Sequence, residues 1–156
     1  MSISLKKEKV IKEWADYNGH MNLAYYIHIF DVAAEVMLNS FKMGGESAKL
    51  ERRSTFVVET HTTYNQELKV GNDVDVNLLY LDHDKKRIHY KLEMINSKEK
   101  YLASTTEVIS LYIDLDERKV TEFEKDKAKI MDDFILKNQK NFKKENLIFS
   151  NKLKKN

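Results

Sequence analysis

Residues 22 to 45 read NLAYYIHIFDVAAEVMLNSFKMGG. Leu23, Tyr26, Ile27, Phe30, Ala33, Ala34, Met37, Leu38 and Phe41 recur at steps of three and four, which draws one wide apolar face on a helix. Asn22 stands where an N-cap residue belongs, because its short side chain can accept a free N–H of the first turn. Gly44 and Gly45 are expected to end the pattern, as glycine does beyond a helix C-terminus. A face this broad predicts that most of the helix is buried.

Downstream of the helix the period changes to two. Ser54 to Tyr64 is rich in Thr, Val, Phe and Tyr, which suit a pleated surface. Val74, Val76, Leu78 and Tyr80 alternate with polar residues, and so do Ile88, Tyr90, Leu92 and Met94. Both segments predict half-buried strands. Tyr101 to Ile113 predicts a long strand, and the short links around Gly71, Asp82 to Lys86 and Asn96 to Lys100 predict hairpins. Upstream, Ile3 to Trp14 alternates weakly and predicts a strand around Val10 to Trp14. One long helix followed by four antiparallel strands makes an α+β fold in which the helix covers one face of a sheet.

The 156 residues are 42% hydrophobic, enough for the core of one domain. Charged residues make up 33% of the chain with a net charge of only +2, which argues against a general nucleic-acid binder. There is no cysteine, so disulfides, thiolate metal sites and cysteine nucleophiles are excluded. No run reaches the ~18 apolar residues of a membrane span. Residues 1 to 12 lack a signal peptide's apolar stretch. A cytoplasmic protein without a membrane partner is expected. Residues 1–120 are expected to form the folded domain and 121–156 a charged, helical C-terminal extension. Ile130, Met131, Phe134, Ile135 and Phe142 give that extension helical spacing. Its last twenty residues hold seven lysines against Glu145 alone, which predicts a frayed, basic end.

Chemistry is concentrated just before the helix, where Asp16, Asn18, His20 and Asn22 surround Gly19. Turns favour such residues, so an ordinary polar loop carrying an N-cap satisfies the same pattern. The functional reading rests on the helix N-terminus. Its unpaired N–H groups and positive dipole end can stabilise an oxyanion, and a nearby aspartate can act on a carbonyl held there. Histidine beside it can donate a hydrogen bond or move a proton. His28, His61, His83 and His89 show no spacing of a closed metal site, so no metal is expected.

Asp16-Tyr17-Asn18-Gly19-His20-Met21-Asn22, followed by Tyr25, resembles the signature of hotdog-fold thioesterases of the 4-hydroxybenzoyl-CoA thioesterase type. Asp16, Asn18 and His20 also match the Asp-x-Asn-x-His spacing of plant acyl-carrier-protein thioesterases. The resemblance covers about Val10 to Ile113. It implies an antiparallel sheet wrapped around one central helix and an acyl-CoA thioesterase with no cofactor beyond the CoA of its substrate. Asp16 would be nucleophile or general base, the N–H near Leu23 the oxyanion donor, and Asn18 and His20 the orienting groups. Glu59 is the candidate second carboxylate, although a solvent-facing strand position is the simpler explanation. Val57-Val58-Glu59-Thr60-His61, with Glu67, Lys69 and Gly71, is further similar to the thioesterase domain fused to carnitine dehydrogenases, which acts on betainyl-CoA. A trimethylammonium group would want aromatic faces, and Trp14, Tyr25 and Tyr26 are candidates beside Asn22 and Leu23, although core packing accounts for such aromatics too. The resemblance implies a homodimer or homotetramer with sites at the subunit interface. A non-catalytic acyl-binding or assembly protein of the same fold is the alternative, and a hotdog dehydratase a further one.

Overall fold

In a computed structural model, which describes residues 2–155, the helix α1 spans Leu23–Ser40. Its buried face is Tyr26, Ile29, Phe30, Ala33, Ala34 and Met37, which keeps five of the predicted positions and adds Ile29. Leu23, Ile27 and Val36 remain exposed, so the helix is less deeply buried than expected. The strands are β1 (Ile3–Lys9), β2 (Arg53–Tyr64), β3 (Asp73–His83), β4 (Arg87–Asn96), β5 (Leu102–Asp114) and the short β6 (Lys119–Val120). They form one antiparallel sheet in the order β1-β3-β4-β5-β2, with β6 added to β5. Val74, Val76, Leu78, Ile88, Leu92 and Met94 form the sheet's side of a core shared with α1. Each such side chain contributes on the order of 2 kcal/mol through burial. The expected hotdog arrangement, a sheet around one helix, is what forms.

Several expectations are corrected. The first strand is Ile3–Lys9, and Lys12–Trp14 is a turn of 3-10 helix. The charged run Lys6 to Lys9 reads poorly as a strand alone but finds its partners on β3. Lys7 lies opposite Asp75 and Lys9 opposite Asp73, with N–O distances of 3.0 and 2.8 Å. Cross-strand pairs of opposite charge stabilise a sheet edge. Gly44 and Gly45 do not end α1, which closes at Ser40 with Lys42 at φ 60°. They start a second helix, α2 (Gly45–Glu51), where the Glu35 carboxylate accepts the Gly45 N–H at 2.6 Å. A Cβ on Gly44 would sit 1.6 Å from Asn39 Oδ1, so a larger residue there requires the exposed Asn39 side chain to swing aside. On β3, a register shift between Leu78 and Tyr80 turns Leu81 toward the core in place of Tyr80.

The C-terminal segment is not frayed. Helix α3 (Lys125–Asn138) docks by Met131 in the core and by Phe134 against Phe41 at 5.2 Å. Its buried Lys127 pairs with Glu51 and Glu124. Beyond α3 the chain crosses to the sheet face opposite α1. The Lys143 N–H donates to the Leu79 carbonyl, just past the end of the β1 pairing. Glu107 accepts the N–H groups of Ile148 and Phe149 at 2.8 to 2.9 Å, and the His89 ring at 2.8 Å. His89 and Glu107 are fully buried there. The Lys154 N–H finally reaches Asp84. Among the described residues, no helix is long and apolar enough to cross a membrane.

Candidate active site

The segment between β1 and α1 is folded by its own backbone. Ala15 bridges Met21, the Asp16 N–H donates to the His20 carbonyl, and the Gly19 N–H donates to the Asp16 carbonyl, both at 3.1 Å. Gly19 carries φ +81°, a left-handed turn that glycine adopts without strain. The ends of this loop are pinned from outside. Met21 N–H donates to the Leu68 carbonyl at 2.7 Å, and Asn22 N–H to the Trp14 carbonyl at 2.9 Å. Asn22 then caps α1, accepting the Ala24 N–H at 2.9 Å as the sequence predicts.

The loop and the helix start open on a cavity of about 440 Å³. Asp16, Asn18, His20 and Leu23 line it from one side, and Tyr64, Gln66 and Glu67 from the other. Asp16 is half-buried, and its Oδ1 accepts the Asn18 N–H at 2.8 Å. Among the described residues its second oxygen makes no further hydrogen bond, which leaves an acceptor for water or substrate. At the helix start, the Ala24 N–H goes to the Asn22 side chain and the Tyr25 N–H to the Asn22 carbonyl. The Leu23 N–H is the remaining donor of the first turn. A carboxylate and an uncommitted N–H at a positive helix end can together polarise a carbonyl and activate its attacker. His20 places Nε2 3.6 Å from Glu67, which also lies 3.9 Å from Lys69.

The structure therefore gathers Asp16, Asn18, His20 and Leu23, with Asn22 supporting them. Tyr26 lines the same cavity and is held firmly by its neighbours. It is buried, its hydroxyl accepts the Leu68 N–H at 3.1 Å, and its ring meets Tyr64 at 5.3 Å. Burial raises its phenol above the ordinary value, against the lowering effect of the Leu68 N–H. Trp14 and Tyr25 stack at 5.5 Å with His28 edge-on to Trp14, and neither ring lines the Asp16 cavity. Glu59 lies elsewhere: it pairs opposite Ile109 on the face away from α1, 3.5 Å from Lys152. Glu67 and Gln66 escaped sequence reasoning as site residues, because only the fold brings the end of β2 against the loop.

A family model described as the thioesterase-like superfamily matches residues 10–136. The chain belongs to this superfamily. The match runs past Ile113, the end of the resemblance seen in sequence, into α3. A betainyl-CoA thioesterase of Pseudomonas aeruginosa is 29% identical over 115 residues, which cover 74% of this chain and 72% of that protein. An L-carnitine dehydrogenase/betainyl-CoA thioesterase of Rhizobium meliloti is 31% identical over 113 residues. Those residues are 72% of this chain but only 22% of that longer protein. A Staphylococcus aureus protein solved in complex with CoA superposes with a TM-score of 0.81 at 27% identity, covering 95% of this chain and 90% of that one. The DHNA-CoA thioesterase of the same organism superposes with a TM-score of 0.79 at 17% identity, covering 89% and 94%, and speaks for the fold alone. This protein is a hotdog-fold enzyme of the thioester hydrolase class.

Proposed function

We propose that this thioesterase hydrolyses small or medium acyl-CoA esters, with acyl groups of the betainyl kind as the first to test, and that Asp16 is its catalytic carboxylate. The observation that carries this reading is the half-buried Asp16, one oxygen uncommitted, sharing a cavity with the helix start at Leu23. The thioester carbonyl accepts the Leu23 N–H. Asp16 then takes a proton from water as the water oxygen bonds to the carbonyl carbon. The C–S bond breaks, the acid is released, and CoA leaves as the thiol after taking up the proton. If Asp16 instead attacks directly, the C–S bond breaks as a mixed anhydride forms, and water cleaves the anhydride at the Asp16 carboxyl carbon. One turnover in oxygen-labelled water separates the two routes, since only direct attack leaves label in the Asp16 side chain. Asn18 and His20 orient the substrate or the water, and no cofactor is needed beyond the CoA that the substrate carries.

Steady-state hydrolysis of an acyl-CoA panel, followed by thiol release, tests the reading. Turnover of at least one ester that depends on Asp16 is expected, and binding without turnover would favour the acyl-binding alternative. The same proposal includes a homodimer. Strand β2 is a sheet edge with Phe56, Val57 and Val58 exposed, a combination that invites pairing with a second copy. Light scattering is expected to give at least twice the 18.4 kDa of the chain. A monomer at micromolar concentration would refute the pairing.

A further inference from the structure

The wall of the Asp16 cavity that faces the loop is a piece of chain without strand pairing. Residues 65 to 68 follow the end of β2, and Gln66 and Glu67 among them line the cavity. Backbone groups that leave a sheet need other partners. The Asn65 and Gln66 N–H groups both donate to the Ala103 carbonyl, at 2.9 and 3.2 Å. The peptide group between Glu67 and Leu68 is held differently. Its carbonyl, on Glu67, accepts the Tyr101 hydroxyl at 2.8 Å. Its N–H, on Leu68, donates to the Tyr26 hydroxyl at 3.1 Å. A trans peptide points these two groups in opposite directions, so the two tyrosines grip it from opposite sides. The Tyr101 hydroxyl also accepts the Asn96 side-chain N–H at 3.2 Å, which strengthens the bond it donates to Glu67. Tyr26 and Leu68 are buried, so water offers no easy substitute for the bond between them.

The clamped peptide aims the next carbonyl at the loop. The Leu68 carbonyl accepts the Met21 N–H at 2.7 Å. Among the described residues, the loop's other backbone hydrogen bonds join it to its own neighbours in sequence. Met21 stands between His20, whose carbonyl accepts the Asp16 N–H at 3.1 Å, and Asn22, which caps α1. A turn of the clamped peptide therefore moves Met21, and with it both Asp16 and the Leu23 N–H. We infer that Tyr26 and Tyr101 are positioning residues for the hydrolysis, which set the carboxylate and the helix start through one shared peptide rather than by touching the substrate. This deepens the thioesterase reading and rests on it. Misplacing reacting groups by about 1 Å can cost on the order of 10²-fold in rate, so loss of one of two holds is expected to cost up to about tenfold.

The experiment removes each hydroxyl and keeps its ring. Tyr26→Phe and Tyr101→Phe should each lower kcat on the best acyl-CoA ester by about five- to tenfold, with KM within about twofold. The double variant should fall by less than the product of the two, because both act on one peptide. Tyr112→Phe is the comparison. Its buried hydroxyl donates to Glu124 at 2.8 Å, and Tyr112 lines no part of the Asp16 cavity. Its loss should lower the melting temperature and leave kcat per folded molecule unchanged. Wild-type kcat in both Tyr26→Phe and Tyr101→Phe would overturn the inference. So would a fall in Tyr26→Phe alone, which would place the Tyr26 hydroxyl on the substrate. A double variant that loses the full product would overturn the shared clamp. Hydrogen exchange at the Met21 amide reads the clamp without turnover. It should quicken about tenfold in both single variants while β4 amides keep their protection. Quickened exchange with no ester hydrolysed by the wild type keeps the clamp and sinks the thioesterase reading; unchanged exchange in an active enzyme sinks the clamp alone.

Discussion

Asp16 and Glu107 are carboxylates on opposite sides of one sheet. Glu107 is fully buried, and its oxygens take two backbone N–H groups and the His89 ring. Asp16 is half-buried, takes one N–H on one oxygen, and lines a cavity. The first has no capacity left for chemistry and holds the C-terminal segment down. The second is incompletely satisfied where substrate can reach it. On the proposed mechanism, burial by itself does not separate structural from reactive carboxylates; the number of acceptor positions left open does.

The largest effect expected from this contrast is at Asp16. Asp16→Asn keeps the shape and the acceptor for the Asn18 N–H but removes the charge. General-base loss typically costs about 10²–10⁴-fold, or roughly 3–5 kcal/mol in the barrier. In steady-state assays kcat should fall by that much, KM should move less than about tenfold, and the melting temperature should stay near wild type. A variant keeping more than about a tenth of wild-type kcat would break the contrast at its reactive end.

Glu107→Ala should do the converse. It leaves the buried Phe149 N–H, the part-buried Ile148 N–H and His89 without their acceptor, a loss of about 3 kcal/mol by the scale for broken buried pairs. Urea denaturation measures it, and kcat/KM per folded molecule should stay within about twofold because Glu107 lies across the sheet from Asp16. Acid should weaken the same latch less severely. Burial would raise the Glu107 carboxyl, but the Phe149 and Ile148 amides and His89 outweigh it and hold the group below its ordinary 4.5. A group depressed in the folded state stabilises above its unfolded value, and that contribution is lost as pH falls through the folded value. Hydrogen exchange at the Ile148 and Phe149 amides should therefore lose protection below pH 4.5, while α1 amides keep theirs. Simultaneous loss in both regions would mean global unfolding rather than release of the latch.

The two sides also differ in how far the sequence reveals them. The apolar spacing of α1, the Asn22 cap and the alternation of β4 are local patterns, and each survives in the fold. So does the loop from Asp16 to His20, whose hydrogen bonds lie within a few residues. What was hidden depends on distant partners. Lys7 and Lys9 make a strand only because Asp75 and Asp73 lie opposite. His89 reads as the polar face of β4, yet it is wholly buried because residues 148 and 149 cover it. A one-residue register shift moved Tyr80 out of the core, and no periodicity announces a bulge. Glu67 approaches the site only because the chain just beyond β2 packs against the loop. Glu59 shares a strand with Thr60, which lines a cavity beside α1, yet lies on the opposite face because strand residues alternate.

Asn22 belongs to both sides of the contrast, and the smallest effect is expected there. Its side chain caps α1, and its backbone ties the helix start to Trp14 and so sets the Leu23 N–H against Asp16. Asn22→Ala removes the cap but leaves the backbone tie. Stability should fall by about 1 kcal/mol, as for other N-cap truncations, and Asn22→Asp should restore most of it because aspartate caps as well. Thermal denaturation reads the first quantity. If the first turn of α1 frays without its cap, the proposed oxyanion donor loses its position, and kcat should drop about two- to fivefold with KM nearly unchanged, since such a donor acts mainly in the transition state. Recovery of kcat in Asn22→Asp, in step with stability, would show that the cap acts through the helix start. A kcat that stays low in Asn22→Asp despite restored stability would instead mean that the Asn22 amide itself touches the substrate, making it part of the reactive side of the molecule.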